Sequence, residues 1–226
     1  MALFGSCAAV AAAQSLQITA PANAEPVSIG NEVLLQNGSV YTYTLKGTLP
    51  KIVELHYPQG SAWLLLSPER SLQVVLGKDS MAYTGSAQTE NQLLNYLKHN
   101  EDFLFNHSHN LYLNWSADSV DSELAPQIKA GLDIRISWIY KAPIPGKLKA
   151  LIAAEIKYDY AAAFERFIID WLKQRKDAGM DALALDQFNA QLHEQETGLF
   201  GEPTRREALE SRSAALWKQR EEGDSK

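Results

Sequence analysis

The sequence predicts an α+β protein, an N-terminal antiparallel β-sandwich followed by a mostly helical region. Three observations lead there. Up to Leu76 the apolar residues fall in short runs every ten residues or so, with Gly, Pro or Asn-Gly between them and no helical period. After Thr84-Gly85 the period changes from two to about 3.6, the helical repeat. With 226 residues and 46% hydrophobic content, the chain can bury one substantial core, or one core plus a helical appendage.

The strands are read in order as Leu16-Gln17-Ile18, Val27-Ser28-Ile29, Glu32-Val33-Leu34-Leu35, Val40 to Leu45 and Ile52 to Tyr57. Asn37-Gly38 is the clearest hairpin turn among them, because both residues tolerate positive φ. Trp63 to Leu66 is stopped by Ser67-Pro68-Glu69-Arg70, where proline fixes a turn and offers no N–H to a ladder. Leu72, Val74 and Leu76 then alternate with Ser71, Gln73 and Val75, which predicts a strand with one buried face. The natural expectation is a hairpin between these last two strands.

Behind the polar starters Ser86 and Thr89, Leu93, Leu94 and Leu97 predict a helix over Leu93 to Phe105. Ser119 to Lys129 reads as a second helix. Lys147 to Lys176 reads as a long or broken third, with Leu148, Leu151, Ile152, Phe164, Phe167, Ile168, Trp171 and Leu172 on one side. Between them Ile134 to Tyr140 alternates in polarity and fits either a strand or a buried helix end. Met180 to Glu196 and a last helix opened by the Thr204/Glu207 capping box form a charged tail. The predicted divisions are 1–13, a signal peptide; 14–85, the sandwich; 86–178, the helical region packed on it; and 179–226, the tail.

The first fifteen residues, MALFGSCAAVAAAQS, are apolar, alanine-rich and too short to span a bilayer. They resemble a secretory signal cut after Ala13, without its positive n-region, and place the chain in the periplasm or outside the cell; the other reading is a loose tail. Cys7 is the only cysteine, which excludes an intramolecular disulfide, a Cys-x-x-Cys redox pair and a thiolate zinc site. A formal charge of −6 argues against nucleic acid, whose affinity needs clustered Lys and Arg. No transmembrane span and no cofactor site are predicted.

Candidate chemistry is sparse. His107-Ser108-His109, with His99 and Asp102 nearby, could supply metal ligands from one strand face, but Asn106, Ser108 and Asn110 around them read as a polar loop. Asp118, Asp121 and Glu123 sit where carboxylates favour a helix start. No Gly-x-Ser-x-Gly elbow is present. Lys173-Gln174-Arg175-Lys176 reads as a solvated helix end. Trp63, Trp115, Trp138 and Tyr140 are the candidate binding aromatics, although rings at such spacings more commonly fill a core. The residues alone predict no catalytic site.

Three stretches carry a family resemblance: Leu66-Ser67-Pro68-Glu69-Arg70-Ser71-Leu72-Gln73-Val74, then Thr84-Gly85-Ser86-Ala87-Gln88-Thr89-Glu90-Asn91, then Ile156-Lys157-Tyr158. Together they resemble the domain of unknown function that precedes the thioredoxin domain in secreted TlpA-like thiol-disulfide oxidoreductases of Bacteroidota, over about Leu16 to Lys176. The resemblance implies a small β-sandwich leading into helices, and an accessory module that binds a protein partner or positions a redox domain in the cell envelope. The family's redox activity resides in the following thioredoxin domain, whose Cys-x-x-Cys has no counterpart here. A fragment of such an oxidoreductase and a small-molecule or glycan-binding sandwich are the alternative readings.

Overall fold

The computed structural model describes residues 15–20, 26–45, 47–77, 80–99, 114–116, 119–181, 183–184, 186–187 and 190, the side chain of Asp121 excepted. These residues form an α+β fold of two sheets and three α-helices. Two compact units divide the chain. Unit 1 comprises the residues up to Lys98 together with Pro143–Leu148, and unit 2 comprises His99–Ala142 and the residues from Lys149 onward.

Among the described residues unit 1 holds nine strands: β1 (Ser15–Thr19), β2 (Ser28–Ile29), β3 (Glu32–Val33), β4 (Gln36–Asn37), β5 (Val40–Thr44), β6 (Lys51–Tyr57), β7 (Gly60–Leu66), β8 (Leu72–Leu76) and β9 (Met81–Thr84). They build a five-stranded sheet in the order β4-β5-β1-β8-β9 and a four-stranded sheet in the order β3-β2-β6-β7. Both sheets feed one apolar core: Leu16, Ile18, Tyr41, Tyr43, Leu72 and Val74 come from the first, and Ile29, Leu55, Leu64 and Leu66 from the second. Strict alternation produces this result, since β1 and β8 bury every second residue. On the outward side of the first sheet Gln17, Thr42, Gln73 and Thr84 lie in one cross-strand row, with Thr84 donating to Gln73 Oε1 at 3.2 Å.

The Asn37-Gly38 hairpin is present. Asn37 faces Val40 across Gly38-Ser39, and Gly38 has φ of 65°. Three expectations need correction. The strands around Ser67-Pro68-Glu69-Arg70 are not a hairpin. β7 pairs with β6 in the four-stranded sheet, while β8 lies beside β1 in the other, so the turn carries the chain from one sheet to the other. The five-stranded sheet is also mixed rather than antiparallel, because β1 and β8 run parallel, Leu16 beside Leu72 and Ile18 beside Val74. Finally, Glu32 to Leu35 is not one strand. Leu34 turns inward, donating its N–H to the Val27 carbonyl at 2.8 Å, and the flanking pairs join different sheets as β3 and β4.

The helices are α1 (Gln88–His99), α2 (Ala125–Lys141) and α3 (Gly146–Asp177). α1 starts five residues earlier than the leucine spacing predicts, and the expected continuation beyond His99 lies outside the described residues. A π-helical turn, Val120–Leu124, leads into α2, and its flanking Ser119 makes no side-chain cap bond. Ile134 to Tyr140 is helical, continuous with α2, which excludes the strand reading. α3 is unbroken over 32 residues. Leu148, Ile152, Phe164, Phe167, Ile168 and Trp171 are buried on it, as the spacing predicts, and Leu151 and Leu172 are half-buried. Its end is a Schellman cap: Met180 N–H reaches the Arg175 carbonyl at 3.0 Å and Gly179 adopts φ of 85°. Among the described residues no helix is long and apolar enough to cross a membrane.

Candidate functional site

Two of the three stretches that carry the resemblance, Leu66 to Val74 and Thr84 to Asn91, meet in unit 1 at the start of α1; the third, Ile156-Lys157-Tyr158, lies on α3 in unit 2. Ser71 and Ser86 are joined reciprocally: Ser71 N–H donates to Ser86 Oγ at 2.9 Å, and Ser86 N–H to Ser71 Oγ at 3.3 Å. The Ser71 carbonyl takes the Ala87 N–H at 3.0 Å, one of the N–H groups a helix start leaves without an internal acceptor. Gly85 between them has φ of 98°, and a Cβ there would lie 2.6 Å from the Ser71 oxygen. Only glycine satisfies both the left-handed backbone and the close approach.

Arg70 completes the junction. Its guanidinium spans both oxygens of Glu90, Nη2 to Oε2 at 3.1 Å, and also donates to the Ser86 carbonyl. The Glu90 side chain is fully buried, so its charge is held by this fork and by its place in the first turn of α1, where the helix dipole favours an anion. Next to it, Lys147 pairs with Glu69 at 2.9 Å. That cation holds the fully exposed Glu69 carboxyl below its ordinary value.

Two turns of α1 then cover the free edge of β7. The Asn91 amide accepts from Leu65 N–H at 2.8 Å and donates to Leu65 O at 3.1 Å. Asn95 repeats the arrangement on Trp63 at 3.2 and 2.6 Å. Each amide thus acts as the backbone of an absent neighbouring strand. The second amide hydrogen goes to the carbonyl four residues back, on Ala87 and on Asn91. An exposed edge would invite pairing with another chain, and here the helix occupies it.

The side chains of Arg70, Ser71, Ser86, Glu90, Asn91 and Asn95 are therefore committed to backbone groups or to one another. The arrangement is a clamp between turn, edge strand and helix. Sequence reading places Ser71, Gly85, Ser86 and Asn91 in conspicuous stretches but misses the Arg70–Glu90 pair and the role of Asn95. A signal was available: Ala87, Glu90, Asn91, Leu94 and Leu97 follow the buried-face spacing of a helix with two polar members.

The candidate aromatics are divided between the two units, Trp63 in unit 1 and Trp115, Trp138 and Tyr140 in unit 2. Trp63, in unit 1, is half-buried with Lys98 Nζ 4.0 Å from its ring centroid. In unit 2 the Trp115 carbonyl accepts from Trp171 Nε1 at 3.0 Å and Arg175 Nη2 at 2.6 Å, and the Arg175 guanidinium lies 4.8 Å from the Trp171 ring. Trp115 is thus fastened to α3. Trp138 and Tyr140 are different: on α2 they are 43% and 56% exposed, with Ile134 at 51%. His107, His109, Asp102 and Asp118 lie outside the described residues, as does the side chain of Asp121; His99 and Glu123 are exposed. Among the described residues no group of three or more His, Cys, Asp or Glu could hold a metal ion.

No protein-family model, curated protein or solved structure matches the chain.

Proposed function

We propose that this chain is an exported, non-catalytic accessory module, in which the two sheets of unit 1 act as a β-sandwich scaffold and a protein partner of the cell envelope binds at an exposed surface. The observation that carries the reading is the place of the first strand. Ser15–Thr19 follows the predicted cut after Ala13 and lies inside its sheet between β5 and β8 with Leu16 and Ile18 buried. Cleavage after Ala13 retains these residues, whereas cleavage a few residues later would remove the middle of the sheet. A non-catalytic role is supported by the clamp, in which the polar groups of Arg70, Ser71, Ser86, Glu90 and Asn91 are used to hold α1. The surface best suited to a protein partner is the side of α2 where Ile134 and Trp138, one turn apart, leave apolar area in water.

N-terminal sequencing tests the export reading. The full chain, expressed in a host with a periplasm, is expected in the periplasmic fraction with Gln14 as its first residue. Recovery solely in the cytoplasm with Met1 retained would overturn it.

A further inference from the structure

Tyr83 is a buried phenol whose hydrogen-bond acceptor is a thioether. It stands two residues from Met81 on β9, so both side chains lie on the face of that strand that meets the core of unit 1. The Tyr83 hydroxyl donates to Met81 Sδ at 2.9 Å. A thioether is a weak acceptor, and among the described residues no oxygen or nitrogen takes that proton. Burial, with a lesser contribution from Tyr57, keeps the phenol protonated at neutral pH and therefore a donor. Met81 differs from Tyr83 in exposure. It is only half-buried, packed against the core from the edge strand of its sheet, so part of the residue faces water.

We infer that Met81 is a modification site, where a peroxide converts the thioether to the sulfoxide and the Tyr83 phenol receives the new oxygen. A sulfur lone pair attacks one oxygen of hydrogen peroxide. The S–O bond forms as the O–O bond breaks, and the departing hydroxide takes the proton of the transferred oxygen. Thioether and hydrogen peroxide thus give sulfoxide and water, the sulfur losing the two electrons that the peroxide gains. A sulfoxide set against a core is ordinarily disruptive, because its polar oxygen has given up water without finding a donor. At Met81 the donor is already in place: the hydroxyl that touches the sulfur has only to shift by about one bond length to reach its oxygen. A sulfoxide oxygen is also the stronger acceptor, so oxidation replaces a weak hydrogen bond with a better one. Met180 supplies the contrast, since it is exposed beyond the cap of α3 and its sulfoxide oxygen would stand in water. The inference is independent of the binding-module reading and of export.

The test uses the full chain with Cys7→Ser and Met180→Leu, which remove competing sulfurs, alone and combined with Tyr83→Phe. Each folded chain is treated with dilute hydrogen peroxide, oxygen uptake is located by peptide mass spectrometry, and urea unfolding is compared before and after. Met81 is expected to take up one oxygen. With Tyr83 present, the unfolding midpoint is expected to stay close to its starting value. With Tyr83→Phe, oxidation is expected to lower the folding equilibrium constant about ten-fold, as for a buried polar group left without a partner. The methionine sulfoxide reductases, one for each epimer, should reverse that loss. Proton NMR of the chain that keeps Tyr83 gives a readout that needs no change at the phenol: its buried hydroxyl proton should move downfield on oxidation. Three results would overturn the inference. They are Met81 left unmodified in the folded chain while free methionine in the same solution is oxidised, an equal loss of stability with and without Tyr83, and an unmoved hydroxyl resonance.

Discussion

α1 and α3 are held by opposite means. α1 buries Glu90, Asn91 and Asn95 along with Leu94 and Leu97, and its place is set by directional bonds to Arg70, Leu65 and Trp63. α3 buries Ile152, Ile156, Phe164, Phe167, Ile168 and Trp171, with the Phe164 and Phe167 rings stacked 6.3 Å apart. An apolar stripe tolerates any packing of similar volume. A buried amide tolerates only the positions where its donors and acceptors are met. The contrast teaches that unit 1 specifies one register for its helix with polar groups, whereas α3 takes its place through volume.

Removing one side of the buried ion pair should have the largest effect. Arg70→Ala leaves the buried Glu90 carboxyl without its partner, and urea unfolding is expected to show a loss of about 3–5 kcal/mol. Arg70→Met with Glu90→Leu should recover most of that loss, since an apolar pair of similar volume carries no desolvation cost. Phe164→Ala on α3 is expected to cost a comparable 3–5 kcal/mol or so, but Phe164→Leu only about 1–1.5 kcal/mol. The comparison sharpens at Asn91. Asn91→Leu keeps the volume yet leaves Leu65 N–H and C=O unmet at a buried edge, and should cost about 2–3 kcal/mol. If Asn91→Leu proves as mild as Phe164→Leu, the two helices are not held differently.

The smaller effects concern single hydroxyls. Burial, with a lesser contribution from Tyr57, raises the Tyr83 phenol above its ordinary 10.0. Below pH 10 both folded and unfolded chains keep that proton. Above it the unfolded chain loses the proton first, so stability should fall as pH rises past 10, with a shallower fall in Tyr83→Phe. The Ser67 hydroxyl is buried with no hydrogen bond among the described residues, although its carbonyl closes the turn by accepting from Arg70 N–H at 3.1 Å. Ser67→Ala should therefore leave the turn intact and raise stability by up to about 1 kcal/mol.

Much of the architecture was legible because it depends on local spacing. Period-two alternation located β1 and β8, Asn37-Gly38 located its hairpin, and the apolar repeat located α3. Each is a property of neighbouring residues whose side chains point where backbone geometry sends them. The misread hairpin has a different origin. Two strands joined by a short turn can pair with each other or part into two sheets, and nothing in Ser67 to Arg70 distinguishes these outcomes. Residues far along the chain do so: β1, more than fifty residues earlier, receives β8 along one edge, and Asn91 and Asn95 occupy the edge of β7. Ile134 to Tyr140 was ambiguous for a related reason. Its alternating polarity comes from a helix with one face buried and another in solvent, and a seven-residue window cannot separate that from a half-buried strand.

The sequence by itself determined the α+β class, most strand positions, the course of α3 and the absence of any dithiol, because periodicity and residue inventory are local or additive properties. Only the tertiary structure decided that a proline turn bridges two sheets, that β1 and β8 run parallel, and that Arg70, Glu90, Asn91 and Asn95 hold a helix to an edge strand. Those outcomes depend on which distant backbone groups and charges would otherwise be buried without partners, and that balance exists only once the chain has folded.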